Sequence, residues 1–195
     1  VNAINYSERQ RPSTGAALRR LRATDAPAVL SAFESAPDMA RQGDVRDLAQ
    51  AERYVDRLID PASPHEPWAV TVDDALVGLV CVSVDEGNRS GWFWYWMSRA
   101  ARGHGWTARA AATVAEWALS SRGLERLELG HRVSNPASGA VARHAGFVKE
   151  GTERAKFLID GQRIDVDTYG RLRSDPEPTY TPLGMRAEGA CASPR

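Results

Sequence analysis

An almost unbroken apolar run, Leu76-Val-Gly-Leu-Val-Cys-Val-Ser-Val84, predicts a central strand covered on both faces. Trp68–Val72 precedes it as a partner strand, and the short join Asp73-Asp74-Ala75 makes the two an antiparallel hairpin. The large and aromatic residues from Trp92 to Met97 favour a further strand. From Arg126 to His131 the pattern alternates. Leu127 and Leu129 fall on one face, Arg126 and Glu128 on the other, as in a half-buried strand. Strand character returns at Phe147, and Asp160-Gly161 between Phe157–Ile159 and Arg163–Tyr169 predicts a closing hairpin. Ala17–Leu21 supplies a short first strand.

Helical spacing fills the gaps. Thr24 is placed to cap a helix with Pro27 in its first turn and Val29, Leu30 and Phe33 on its apolar face. Asp47 caps a second helix carrying Leu48, Ala51, Val55, Leu58 and Ile59, which ends before Pro61. An alanine-rich helix starts at Thr107 and closes at Gly123. Asn135 and Pro136 open a last helix that ends at Gly146. A strand–helix–strand unit, 92–131, thus lies inside a mostly antiparallel sheet. This is one mixed α/β layer, not a doubly wound fold. Residues 1–16 read as a polar leader and 17–173 as the domain. The Pro-rich tail, 174–195, is expected to be mobile or to pack on a partner chain.

Composition narrows the function. The 25 basic and 25 acidic residues give a formal net charge of +0, which argues against a general nucleic-acid binder. Only Lys149 and Lys156 are lysines, so 23 of the basic residues are arginine, as a GC-rich genome would produce. Cys81 and Cys191 make no disulfide framework, and Cys81 reads as core. No apolar run is long enough for a membrane span, and no signal peptide is legible, so a cytoplasmic protein is the default expectation. His65, His104, His131 and His144 show no metal spacing, and no metal is expected.

The chemistry centres on Arg102-Gly-His-Gly-Trp-Thr107, a loop between the aromatic strand and the alanine-rich helix. Gly103 and Gly105 let its backbone bend and approach another molecule closely. Free N–H groups at the following helix N-terminus form a ready anion site. The loop fits neither the nucleoside-triphosphate loop, which needs Gly-Lys-Ser/Thr, nor the dinucleotide fingerprint, which needs a third glycine.

With its neighbours in order, this loop resembles the acyl-CoA loop of the Gcn5-related N-acetyltransferases (GNAT), within them the RimJ/RimL branch of ribosomal-protein N-terminal acetyltransferases. Arg102, Gly105 and Thr107 occupy the defined positions of Gln/Arg-x-x-Gly-x-Gly/Ala, with Thr107 departing at the last. Asn135-Pro-Ala-Ser138, then Ala142 to Gly146-Phe147 and Glu150-Gly151, match the branch's second signature. The closing hairpin, with Asp160-Gly161, Asp165-Val166 and Tyr169, matches as well. The resemblance covers 17–173. It implies a splayed, mostly antiparallel sheet of about seven strands with about four helices.

It also implies an acetyl-CoA cosubstrate and an amine acceptor. Backbone groups near Met97 and Ser98 would pair with the pantetheine arm. The amides of Arg102, Gly103, His104, Gly105, Trp106 and Thr107 would receive the pyrophosphate. Ser138 would be the general acid for the departing thiolate, and also reads as a first-turn helix serine. Asn135 would contact the cofactor while capping its helix. The base stays unassigned. Some enzymes of the branch carry a glutamate on the strand after Gly-Phe, where this chain has Lys156-Phe157 in the same neighbourhood, and Glu153, Asp165 and Asp85 read first as solvated or structural carboxylates. The acceptor would meet the loop before the second helix, where Asp38, Asp44 and Asp47 are interrupted by Arg41 and Arg46, and the last hairpin. Trp92, Trp94 and Trp96 share one strand face and read as core or as a homodimer contact, and second as a wall for the acceptor. A non-catalytic acyl-CoA-binding protein and a transferase of a larger acyl group such as succinyl are the alternatives.

Overall fold

Eight strands form one sheet in the order β6-β7-β5-β4-β3-β2-β1-β8 in the computed structural model, which describes residues 15–186. The first fourteen residues of the expected leader, the end of the tail and Cys191 lie outside the described residues. The strands are β1 (Ala17–Arg20), β2 (His65–Val72), β3 (Ala75–Asp85), β4 (Ser90–Met97), β5 (Arg126–Arg132), β6 (Val148–Ile159), β7 (Gln162–Leu172) and β8 (Gly184–Met185). The helices are α1 (Ala26–Glu34), α2 (Leu48–Ile59), α3 (Trp106–Ser120) and α4 (Pro136–His144). The pairing is antiparallel except between β4 and β5 and between β1 and β8.

The mixed sheet matches the expected fold class, with β8 as an added eighth strand. Both predicted hairpins form on two-residue turns in the left-handed region, Asp73-Asp74 (φ 50° and 66°) and Asp160-Gly161 (φ 50° and 77°). The apolar run of β3 is covered on both faces. Val80 and Val82 pack under α3 with Leu18, Phe93 and Leu127, while Leu79 and Cys81 pack under α1 and α2 with Phe33, Val55 and Trp96. Cys81 is fully buried, and that burial pushes its thiol well above the usual range.

β2 starts earlier than the apolar pattern suggests, at His65, and contains Pro67. Hydrogen bonding of Val84 N to Pro64 O turns Pro67's nitrogen away from β3, towards the side where β1 ends opposite Trp68. No ladder bond is lost there.

Thr24 does not cap α1 as expected. A single 3-10 turn, Ala23–Asp25, precedes α1, and Asp25 stands at its N-cap position. The reason is Arg19 of β1, whose guanidinium is buried and makes two bonds to Asp25, at 2.7 and 2.8 Å. Asp25 also accepts the Arg22 N–H at 2.9 Å.

The described part of the tail returns along its own domain. Arg109 donates to the Thr181 and Pro182 carbonyls, Leu183 is buried with its N–H on Thr113 Oγ1, and β8 joins the sheet edge beside β1. Among the described residues no helix is long and apolar enough to cross a membrane.

Asp25→Ala leaves a buried guanidinium short of its main partner and is expected to lower stability by about 3 kcal/mol. The urea unfolding midpoint reads this. A loss below about 1 kcal/mol would mean that Asp74, which also accepts from Arg19, carries the arginine alone.

Candidate active site

β4 and β5 separate. They pair over Ser90↔Arg126, Gly91↔Leu127 and Trp92↔Glu128, and then β4 runs on to Met97 and β5 to Arg132 with no further pairing. Ser98 N–H donates to Val77 O across the β3–β4 ladder, so by alternation the backbone groups of Phe93, Tyr95 and Met97 face the opening. The Met97 carbonyl there accepts from Arg102 Nε at 3.0 Å. The remainder is an exposed strand edge, the kind of surface that pairs with an extended ligand.

Two cavities fill the gap and share Gln42, Tyr95, Asn135 and Ser138. One, of about 290 Å³, opens on the N-terminus of α3. The other, of about 370 Å³, opens between Arg41, Trp94, Arg132 and Phe157.

At the first cavity, α3 starts at Trp106 with Gly105 as its N-cap, in the left-handed region (φ 72°), and no side chain caps it. The first-turn N–H groups therefore have no intrahelical acceptor. A Cβ added at Gly103 or Gly105 would meet no atom within 4 Å, so the glycines leave open the space over the helix end. The residues fit an anionic group. Met97, Arg102, Gly103, Gly105, Thr107, Asn135 and Ser138 line this cavity together. Ser98, His104 and Trp106 do not. The Ser98 N–H is taken by Val77, while His104 Nδ1 donates to the Arg102 carbonyl at 3.0 Å and its ring stacks on Trp106 at 4.5 Å. Arg102 is held by Asp38 at 3.0 Å.

The junction is a hydrogen-bonded turn. Asn135 Oδ1 accepts the Ser138 N–H at 3.3 Å and Asn135 Nδ2 donates to Ser138 Oγ at 2.9 Å. With its oxygen already accepting, the Ser138 hydroxyl keeps its proton for donation into the cleft. Tyr95 Oη donates to the Ser138 carbonyl at 3.1 Å. Burial pushes this phenol up to about 12, so it remains a donor through the neutral range.

The second cavity includes residues that sequence reasoning passed over. His131, buried at the end of β5, donates from Nδ1 to the Arg132 carbonyl and presents Nε2 to Tyr169 Oη at 3.3 Å. Arg41 and Arg132 come from positions far apart in the chain, and nothing in their local sequence signals the encounter. The carboxylates weighed as bases are used elsewhere. Glu153 pairs with Lys156, Asp165 accepts the Ala155 N–H, and Asp85 accepts the Asn88 N–H. The three tryptophans of β4 grade from buried Trp96, through half-buried Trp94, to Trp92 at 44% exposure, and Trp94 alone lines this cavity. Among the described residues no cluster of His, Cys, Asp or Glu is placed to hold a metal.

The family model described as an acetyltransferase (GNAT) domain matches residues 16–148, and the chain belongs to that family. The protein named Putative ribosomal N-acetyltransferase YdaF, from Bacillus subtilis (strain 168), is 27% identical over 106 residues, which is 54% of this chain and 58% of that protein. The chain thus matches a little over half of that relative's length. RimL, a ribosomal L7/L12 alpha-N-protein acetyltransferase solved with coenzyme A, superposes with a TM-score of 0.71 at 22% identity, covering 82% of this chain and 95% of that one. A chimera of the Vibrio cholerae spermidine N-acetyltransferase SpeG and hSSAT gives 0.72 at 22%, covering 82% and 96%. At that identity the likeness is one of fold.

Gly105→Val puts a branched side chain over the helix end in a left-handed conformation. The strain is expected to lower stability by about 1–2 kcal/mol. The affinity for acetyl-CoA is expected to fall by at least about tenfold. Melting curves and calorimetry read the two separately, and unchanged affinity would remove the loop from the cofactor site.

Proposed function

We propose that this chain is an N-acetyltransferase that moves an acetyl group directly from acetyl-CoA to a primary amine. One observation carries the reading: the open edge of β4 leads from the uncapped N-terminus of α3 to the Ser138 hydroxyl. The names of the relatives above support a primary amine as acceptor, since a protein α-amine and spermidine both present one.

Acetyl-CoA supplies the acetyl group already activated as a thioester. The N–H groups from Gly103 to Thr107, with the helix dipole behind them, hold the pyrophosphate. The outward backbone groups of Phe93, Tyr95 and Met97 align the pantetheine arm along β4. The C–S bond breaks as Ser138 Oγ, oriented by Asn135, passes its proton to the departing sulfur and takes one in return from the acetylated nitrogen, so CoA leaves as the thiol and the product as the neutral amide. Tyr95 fixes the turn that carries Ser138 and does not act as a base at neutral pH. Among the described residues no carboxylate lines the acceptor half, and His131 Nε2 there is taken up by Tyr169 Oη, so the amine enters as its free base.

Ser138→Ala is expected to lower kcat by roughly 10²-fold, the low end for a positioned acid, with acetyl-CoA affinity nearly unchanged. Equal rates would leave Ser138 as a helix-turn serine. A screen of amines for release of free CoA tests the activity itself. Binding of acetyl-CoA without turnover of any amine would favour a non-catalytic acyl-CoA-binding protein, and a competition series of acyl-CoA esters separates acetyl from succinyl transfer.

The pH profile tests the missing base. The rising limb of kcat/KM is expected to follow the acceptor's own amine, near pH 8 for a peptide α-amine, and to move with acceptors of different basicity. A limb fixed at one pH for every acceptor would reveal a base in the protein.

A further inference from the structure

The acceptor half of the cleft is cationic and its surroundings explain why. Arg41 ends the 3-10 turn Pro37–Arg41, and Arg132 ends β5, where the strand has left β4. Both line the same cavity as Trp94, Phe157 and Leu158. Among the described residues neither guanidinium has a carboxylate partner or a side-chain hydrogen bond, whereas the nearby Arg102 is paired. The nearby acids are engaged elsewhere. Asp38 binds Arg102, Asp44 binds Arg46, Asp47 caps α2, and on the closing hairpin Glu153 binds Lys156 and Asp167 binds Lys149. Arg132 is half-buried, and desolvation together with Arg41 makes its charge harder to hold, an effect that Asp38 only partly offsets.

The opposite wall is apolar. In β6 the four steps from Glu153 to Phe157 face only two on β7, from Val166 to Ile164, with Ala155 in the left-handed region (φ 54°). This bulge aims the following residues at the cleft. Phe157 and Leu158 remain 42% and 61% exposed, among the largest apolar surfaces left on the domain.

We propose that this site selects primary amines carried by an anion, with Arg41 and Arg132 recognising a carboxylate close to the amine and Trp94, Phe157 and Leu158 holding the apolar part of the acceptor. A polyamine is disfavoured, because its second cation meets the arginines. The inference rests on the acetyl-transfer reading above. The carboxylate has two sources, an acidic residue just after a peptide's N-terminal residue or the carboxylate of a free amino acid.

The test uses the whole chain with acetyl-CoA and four acceptors: a Ser-Asp peptide, the matched Ser-Ala and Ser-Lys peptides, and spermidine, with free serine as a fifth arm for the small source. kcat/KM is expected to be at least about tenfold higher for Ser-Asp than for Ser-Lys or spermidine, with the gap shrinking as salt is raised. Arg132→Glu is expected to reverse the order, and Arg41→Ala, a surface change, to flatten it. Preference for free serine over Ser-Asp assigns the carboxylate to a small molecule, with the arginine effects the same. Equal rates for acidic and basic peptides, preference for spermidine, or an Arg132→Glu defect confined to acetyl-CoA affinity would each overturn the proposal. If no acceptor is turned over, the transferase reading fails on its own. Calorimetry of the Ser-Asp and Ser-Lys peptides against the CoA-loaded protein then decides the selectivity, and equal binding would sink it.

Discussion

The short parallel pairing of β4 with β5 is the constraint on which the site depends. Three matched residue pairs join the two strands, and beyond Trp92 they diverge. The connection between them, through α3, brings the helix N-terminus to the end of β4. A sheet pairs its inner strands because an unpaired backbone group costs free energy when kept from water. Here the divergence leaves the edge of β4 accessible instead, and α4 packs its first turn into the space. One departure from regular pairing therefore creates the strand edge, the helix end and the position of Ser138 together.

Packing on both sides of the sheet holds that departure in place. α3 presents Ala110, Ala111, Val114, Ala115 and Ala118 to the sheet, and such small residues let the helix lie close to Val80 and Val82. Arg171, almost fully buried on β7, donates to Glu116 of α3 at 2.8 Å and to the Ala145 carbonyl after α4 at 3.1 Å. It ties the far half of the split sheet to both helices that border the cleft. On the near half, Arg19 and Asp25 join β1 to α1. Ion pairs like these are weak evidence for net stability, but removal of one partner leaves an uncompensated buried charge, so they fix geometry strongly.

Much of this was legible in order along the chain. Caps such as Asp47 and Asn135, the two-residue turns and the both-faced burial of β3 each follow from local chemistry, and the structure repeats them. The cofactor half was legible because its parts are contiguous: a strand end, two glycines and a helix start. The acceptor half was not. Arg41 and Arg132 are separated by most of the domain, and only the fold brings them to one wall. Asp38, Asp44 and Asp47 looked like an acidic loop on paper, yet Asp38 is taken by Arg102, far along the chain, while Asp44 pairs with the adjacent Arg46 and Asp47 caps α2. Phe157 depends on a bulge whose two extra residues follow no periodic pattern. Thr24 does not cap α1 because a 3-10 turn precedes the helix, and Asp25, held by the buried Arg19 of β1, takes the N-cap position.

An arginine pair beside the proposed amine site would repel the ammonium ion that the acceptor is in water. The free base is the reactive form, however, and it carries no charge to repel. Nearby cations disfavour the ammonium and so favour the nucleophile. A carboxylate base in the same cavity would instead pair with Arg41 or Arg132 and be held ionised and bound. The absence of an acid at Lys156-Phe157 and the presence of the arginines are then two aspects of one electrostatic arrangement. The proposed acceptor's own anion would supply the attraction that an acidic residue of the protein would otherwise provide. In the proposed complex its charge would bind the arginines at one end, while the neutral amine would face Ser138 and the thioester at the other.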